Sequence, residues 1–300
     1  MKPILFSLDN HPLFEGLFQV LNATLGECAH REFPDGESYL RIITPVKNQH
    51  CIIVANLVYP NEKFLPLIFL ADTLKELGAL SVGLVTPYLS YMRQDIRFLE
   101  GEAVTSKIFA KALCQHIDWL VTVDPHLHRY HSLNEIYSIP TRVVQGAPLL
   151  ADWLKQQKNI LLIGPDEESE QWVSSIAKVS EHPYVIGHKD RKGDRNVEVT
   201  LPDLTAFIGY TAVIIDDVVS SGQTLLKCIE ALKLQGITQV NCAAVHGIFA
   251  DNSDEKLMAK GVVQLITTNS IPHNSNVVDL SSVLKAPIEE CLALQGIVKE

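Results

Sequence analysis

The chain has 300 residues, 47% of them apolar and 20% charged, with a formal net charge of −10. That composition is globular and the length suggests two cores. The acidic balance excludes a general nucleic-acid binder, which needs a broad basic face, but leaves room for one local Lys/Arg pocket around a small anion.

From the N-terminus, the apolar run before Ser7 is too short for a secretory leader, and Asp9 follows at once. No stretch approaches the ~18 apolar residues of a membrane span. The six cysteines (Cys28, Cys51, Cys114, Cys228, Cys242 and Cys291) form no C-x-x-C pair, which reads as reduced thiols in a cytoplasmic protein. Buried strands are expected at 51–55, 81–86 and 119–123, and again at 160–163, 184–186, 212–215, 240–245 and 262–267. Helical spacing runs from Phe64 to Leu77, with Gly78 as its stop, and again through Val104, Ile108, Phe109, Ala112 and Leu113. Continuous apolar strands alternating with helices indicate an α/β protein with mainly parallel sheets covered on both faces.

Two segments repeat. Leu74-Lys75-Glu76-Leu77-Gly78 before Val82 echoes Leu232-Lys233-Leu234-Gln235-Gly236 before Val240, and Trp119-Leu120-Val121-Thr122 echoes Gln264-Leu265-Ile266-Thr267. A long-period repeat points to duplication, with a join near Pro140 to Gln145.

The sharpest chemical signal is the run from Val213 to Leu225. An apolar strand ends in Asp216 and Asp217, a turn of small residues (Ser220, Ser221, Gly222, Gln223, Thr224) follows, and a helix is expected to begin near Leu225. Backbone N–H groups and hydroxyls beside a helix N-terminus suit a phosphate monoester, and ligands of open α/β sheets bind at the carboxyl ends of strands. The two carboxylates would accept hydrogen bonds from an adjoining sugar. An ordinary βα turn with acidic capping residues has the same composition.

Four further segments are singled out. Phe33-Pro34-Asp35-Gly36-Glu37 is a turn with two carboxylates. The run from Pro87 to Asp95 supplies two tyrosines, Arg93 and Gln94 after a strand. Asp124-Pro125-His126 and Gly164-Pro165-Asp166 each end a strand. The dense mixed-charge run around Asp190 to Asn196, with Lys189 and Arg191, reads either as a solvated loop or as a charged loop closing over substrate.

The Asp216–Thr224 run resembles the phosphoribosyl-pyrophosphate loop of the type I phosphoribosyltransferase fold. With the other motifs in their order, nearly the whole chain resembles the ribose-phosphate pyrophosphokinases, archaeal-type members above all. The resemblance implies two tandem phosphoribosyltransferase-like domains, at 1–142 and 143–283, with a terminal helix over 284–300 returning to the first. It implies transfer of a diphosphate from ATP to ribose 5-phosphate with Mg²⁺, in a homo-oligomer of at least two subunits.

Residue by residue, the resemblance puts Phe33, Asp35 and Glu37 in the adenine site of a neighbouring subunit and Arg93 and Gln94 on ATP. It makes His126 and Asp166 Mg²⁺ ligands, and Lys189 and Arg191 the catalytic pair. It sets Asp216 and Asp217 on the ribose hydroxyls and Ser220, Ser221, Gly222, Gln223 and Thr224 around the 5-phosphate. Departures from the pattern are Gln223 in place of a glycine, Glu167-Glu168-Ser169 where many relatives carry a glycine pair, and Ile96 where many carry a basic residue. Two other readings stay open: a nucleobase phosphoribosyltransferase, and a catalytically inactive regulatory homologue.

Overall fold

The computed structural model describes residues 2–127, 129–192 and 196–297, and of residues 189–192, 196–198 and 297 the backbone alone. Contacts divide the chain into two units: one from the N-terminus to Val144, rejoined by the C-terminal residues from Leu280, and one spanning Gln145–Asp279.

The first unit runs β1 (Ile4–Ser7), α1 (Leu13–Val20), β2 (Thr24–Leu25), β3 (Cys28–Glu32), β4 (Ser38–Ile42), β5 (His50–Val54), α2 (Pro60–Glu76), β6 (Ser81–Thr86), α3 (Thr105–Leu113), β7 (Trp119–Val123) and β8 (Thr141–Val144). Six strands pair in the order β2-β1-β5-β6-β7-β8, all parallel, while β3 and β4 form a separate antiparallel hairpin. Every residue of β6 and β7 is buried, as expected of strands covered on both faces. Leu67, Leu70, Ala71 and Leu74 of α2 and Phe109, Ala110 and Leu113 of α3 supply the helical side of one core. Gly83 is required by close approach, since a Cβ there would lie 2.0 Å from the buried Trp119 ring on the neighbouring strand. Helix α2 starts four residues before the apolar periodicity at Phe64, because Pro60 is preorganised for the first turn.

The second unit runs α4 (Ala147–Lys155), β9 (Ile160–Gly164), α5 (Glu170–Ser180), β10 (Tyr184–Ile186), β11 (His188–Lys192), β12 (Asn196–Thr200), β13 (Thr211–Val219), α6 (Gln223–Leu234), β14 (Val240–Gly247), α7 (Ser253–Ala259), β15 (Val262–Thr268) and β16 (Asn276–Val278). Its parallel sheet has the order β10-β9-β13-β14-β15-β16, and β11 and β12 make an antiparallel hairpin outside it. The last helix, α8 (Ser281–Ile297), packs on α1 and β8 in the first unit, with Arg142 Nε donating to Glu290 at 2.7 Å.

Strand for strand the two sheets share one topology, and each chain half inserts a hairpin between its second and third sheet strands. The sequence echoes fall on equivalent elements: the ends of α2 and α6 leading into β6 and β14, and β7 against β15. Two local expectations are corrected. Strand β13 does not stop before the acidic pair but continues through Asp216 and Asp217 to Val219, because β14 runs alongside as far as Gly247, pairing Val218 with His246. The charged run is not simply a loop. Residues 188–192 and 196–200 are paired strands, and the alternation in Asn196-Val197-Glu198-Val199-Thr200 is strand-like, with Val199 buried; residues 193–195 lie outside the described residues.

Candidate active site

In the second unit the chain leaves β13 at Val219, turns through Ser220 and Ser221, and enters α6 at Gln223, two residues earlier than expected from the apolar pattern. Gly222 sits at the N-cap with φ of 70°, a left-handed conformation that costs a glycine little, and it brings no side chain to occupy the first-turn N–H groups. The turn is braced from behind: Ser253 Oγ donates to the Ser220 carbonyl at 2.7 Å, and the N–H groups of Ile248 and Phe249 donate to the Val219 carbonyl at 2.9 and 3.1 Å. Ser221 and Gln223 are exposed and Ser220 and Thr224 half-buried. The result is a short concave turn ending on a helix N-terminus, where positive potential and unspent donors favour an anion.

Asp216 and Asp217 precede this turn, and the Asp217 N–H donates to the Asp216 carboxylate at 3.0 Å. Burial pushes the Asp216 carboxyl well above the usual carboxylate range; the negative charges of Asp217 and then Asp166 push it further, and the Asp217 N–H opposes them. Asp166 stands just past the end of β9, the strand next to β13, and accepts from the Ser169 N–H at 3.3 Å. The departure Glu167-Glu168-Ser169 is thereby a short 3₁₀ turn capped by Asp166, with Glu167 paired to His188 at 2.7 Å. Lys189 and Arg191 lie on β11 opposite Val199 and Val197; their side chains are outside the described residues.

In the first unit, Phe33, Asp35 and Glu37 share the tip of the β3–β4 hairpin. The Phe33 N–H donates to the Glu37 carbonyl at 2.7 Å, the Gly36 N–H to the Phe33 carbonyl at 2.9 Å, and the Glu37 N–H to the Asp35 carboxylate at 3.2 Å. Arg31 stacks over Phe33 and Tyr39, 4.4 and 4.6 Å from the ring centroids. Arg93 and Gln94 occupy the loop from β6 to α3, and His126 the segment after β7, so these three follow the carboxyl ends of adjacent strands of the first sheet, whereas the hairpin is a sheet of its own. Asp124 and His126 both have positive φ, 33° and 56°, uncommon for non-glycine residues and typical of constrained sites.

Known proteins match this arrangement along the chain. A sequence profile for the N-terminal domain of ribose phosphate pyrophosphokinase matches residues 3–116, and one for the phosphoribosyl transferase domain matches residues 132–283. The ribose-phosphate pyrophosphokinase of Sulfurisphaera tokodaii is 31% identical over 282 residues, 91% of this chain and 96% of that protein. This chain belongs to the ribose-phosphate pyrophosphokinase family. The Methanopyrus kandleri ribose-phosphate pyrophosphokinase is 28% identical over 95% of this chain and 98% of its own length. The crystal structure of phosphoribosylpyrophosphate synthetase from Mycobacterium smegmatis superposes with a TM-score of 0.83 at 21% identity, covering 98% of this chain and all of that one, which establishes the shared two-domain fold.

Ribose-phosphate pyrophosphokinase family membership brings a divalent cation into question. Among the described residues no three His, Cys, Asp or Glu side chains are placed to hold an ion unaided. The carboxylates around Asp216 nonetheless fit magnesium. They are hard oxygen donors, with the charges of Asp217 and Asp166 near the buried Asp216 carboxyl, and Mg²⁺ ordinarily takes one or two carboxylates and fills its shell with phosphate and water oxygens. Sequence reasoning missed Arg31, Tyr39 and Ser253. A local signal was available for the first two: Arg31 stands two positions before Phe33 and over its ring, and Arg31 pairs directly with Tyr39 across the hairpin. Nothing local marks Ser253, which reaches Ser220 from another helix.

Proposed function

We propose that this chain transfers the β,γ-diphosphate of MgATP to the anomeric hydroxyl of ribose 5-phosphate, giving phosphoribosyl pyrophosphate and AMP. The observation that carries this reading is the β13–α6 turn: two carboxylates beside a glycine-capped helix N-terminus, in a chain whose family match also extends over the N-terminal half. The turn from Ser220 to Thr224 holds the 5-phosphate, and Asp216 and Asp217 accept from the ribose hydroxyls. Phe33, Asp35 and Glu37 form part of the adenine site of a neighbouring subunit, and Arg93 and Gln94 contact ATP. The working protein is then a homo-oligomer of at least two subunits.

Phosphoryl-type transfer gains from positioning and charge neutralisation more than from covalent chemistry. Mg²⁺, when bound, would neutralise developing charge on the polyphosphate oxygens, with Asp166 and His126 as its protein ligands. Lys189 and Arg191 bring further cations to the same oxygens, Lys as a point charge and Arg as a planar fork. Glu167, one of the departures from the family pattern, is engaged with His188. A nucleobase phosphoribosyltransferase would use the same turn, but it leaves the first unit's match to a pyrophosphokinase N-terminal domain without a purpose. Incubating the purified protein with MgATP and ribose 5-phosphate and following AMP separates the readings: AMP formation that needs both substrates supports the proposal, and none rejects it.

A further inference from the structure

The loop bearing Arg93 and Gln94 is long and exposed from Ile96 to Gly101, so something must set its register. Part of the order is internal. The Glu102 carboxylate accepts from the N–H groups of Phe98 and Leu99 at 2.8 and 3.1 Å, and Arg97 Nε donates to the Glu102 carbonyl at 2.8 Å. The Ser106 N–H, at the start of α3, donates to the Gln94 carbonyl at 3.3 Å.

The other anchors come from the segment that follows β7. Arg129 Nη1 donates to the Asp95 carboxylate at 2.7 Å, and the same guanidinium lies 5.2 Å from the Phe98 ring centroid. Tyr130 Oη donates to the Asp95 carbonyl at 3.0 Å and lies 3.1 Å from Ser106 Oγ. The Asp95 side chain is only 3% exposed, whereas that of Arg129 is 45% exposed. A carboxylate directly after Arg93-Gln94 is therefore buried, and its counter-charge is supplied three residues beyond His126. A buried carboxylate that loses its cation is strongly destabilised where it stands, so it either takes up a proton or moves to water. Movement of Asp95 would carry Gln94 and Arg93 with it.

We infer that Arg129 and Tyr130 are positioning residues. They clamp the Arg93–Gln94 loop through Asp95 and tie its placement to the strand end that carries His126. This rests on the proposed role of Arg93 and Gln94 in holding ATP. Neither clamp residue touches a substrate in this scheme; each acts through the loop.

The test uses the full chain with Arg129→Ala, Arg129→Lys, Tyr130→Phe and the double variant Arg129→Ala/Asp95→Asn. Arg129→Ala is expected to raise the KM for ATP roughly tenfold or more while leaving that for ribose 5-phosphate within about twofold. Arg129→Lys and the double variant, which replace or remove the need for the cation, should each recover part of the ATP term. Tyr130→Phe should move the ATP term in the same direction by a smaller factor. Amide hydrogen exchange over residues 93–99 should speed up in Arg129→Ala relative to wild type. A lower melting temperature with both KM values unchanged, or exchange at 93–99 unaltered, would overturn the inference. If wild type itself forms no AMP, the proposed function fails. The clamp is then decided by equilibrium ATP binding and exchange in the same proteins: weaker binding with faster exchange in Arg129→Ala supports it, and unchanged values reject it.

Discussion

Asp217 donates its backbone N–H to the carboxylate of Asp216 at 3.0 Å, while its own negative charge pushes the Asp216 carboxyl upward. The contact steadies the pair but does not offset the burial. Adjacent acids on a mostly apolar strand are a standing instability, which the proposed sugar contacts or a cation would relieve.

That instability has a definite pH sign. A carboxyl raised in the folded state holds its proton where the unfolded chain has lost it, so its contribution is most favourable below the ordinary carboxylate range and is lost as pH rises through the raised value. Asp216→Asn, assayed with a chelator present, should therefore melt at a higher temperature than wild type at about pH 8, and the gap should shrink towards about pH 4. The same variant should bind ribose 5-phosphate poorly. A melting gap that is constant or widens on acidification would remove the burial argument.

Gly222 allows a sharp test of the cradle. Its φ is 70°, and a Cβ would approach Ser253 Cβ to 3.3 Å, so Gly222→Ala meets both backbone strain and a tight neighbour. A loss of about 1 kcal/mol or more in stability is expected, together with weaker ribose 5-phosphate binding by calorimetry. Retention of full affinity would show that the helix N-terminus does not receive the phosphate.

Lys189 has a backbone place on β11, opposite Val199. Lys189→Ala should lower kcat roughly 10²-fold or more, by analogy with loss of one transition-state donor, and should leave the circular dichroism spectrum unchanged. Unchanged turnover would take Lys189 out of the mechanism.

Arg31 lies between Phe33 and Tyr39 at the base of the hairpin turn, and an exposed cation–π contact contributes about 0.5–1 kcal/mol. Arg31→Ala should loosen Phe33 and raise the KM for ATP several-fold, with that for ribose 5-phosphate unaffected. Equal changes in both would assign Arg31 to overall stability instead.

Much of the fold is legible in the sequence. Strands such as Ser81–Thr86 and Trp119–Val123 are largely apolar and carry no charge, so their burial on both faces follows directly. The duplication left its trace on α2 and α6, where helix end, glycine stop and following strand recur. The hairpins were not legible. The β3–β4 hairpin buries no continuous face, and the charged residues of β11–β12 mask its alternation. Nor could sequence show that Asp216 and Asp217 lie within a strand, since that is decided by the length of β14 beside them. The Asp95–Arg129 pair spans 34 positions and carries no local periodic signal.

The most direct measurement follows phosphorus by NMR while the purified protein turns over MgATP with ribose 5-phosphate. The β- and γ-phosphorus of ATP should move together into a pyrophosphate on the sugar, with AMP appearing in equal amount. Release of ADP, or ATP left intact while ribose 5-phosphate is bound at the β13–α6 turn, would contradict diphosphate transfer by this chain.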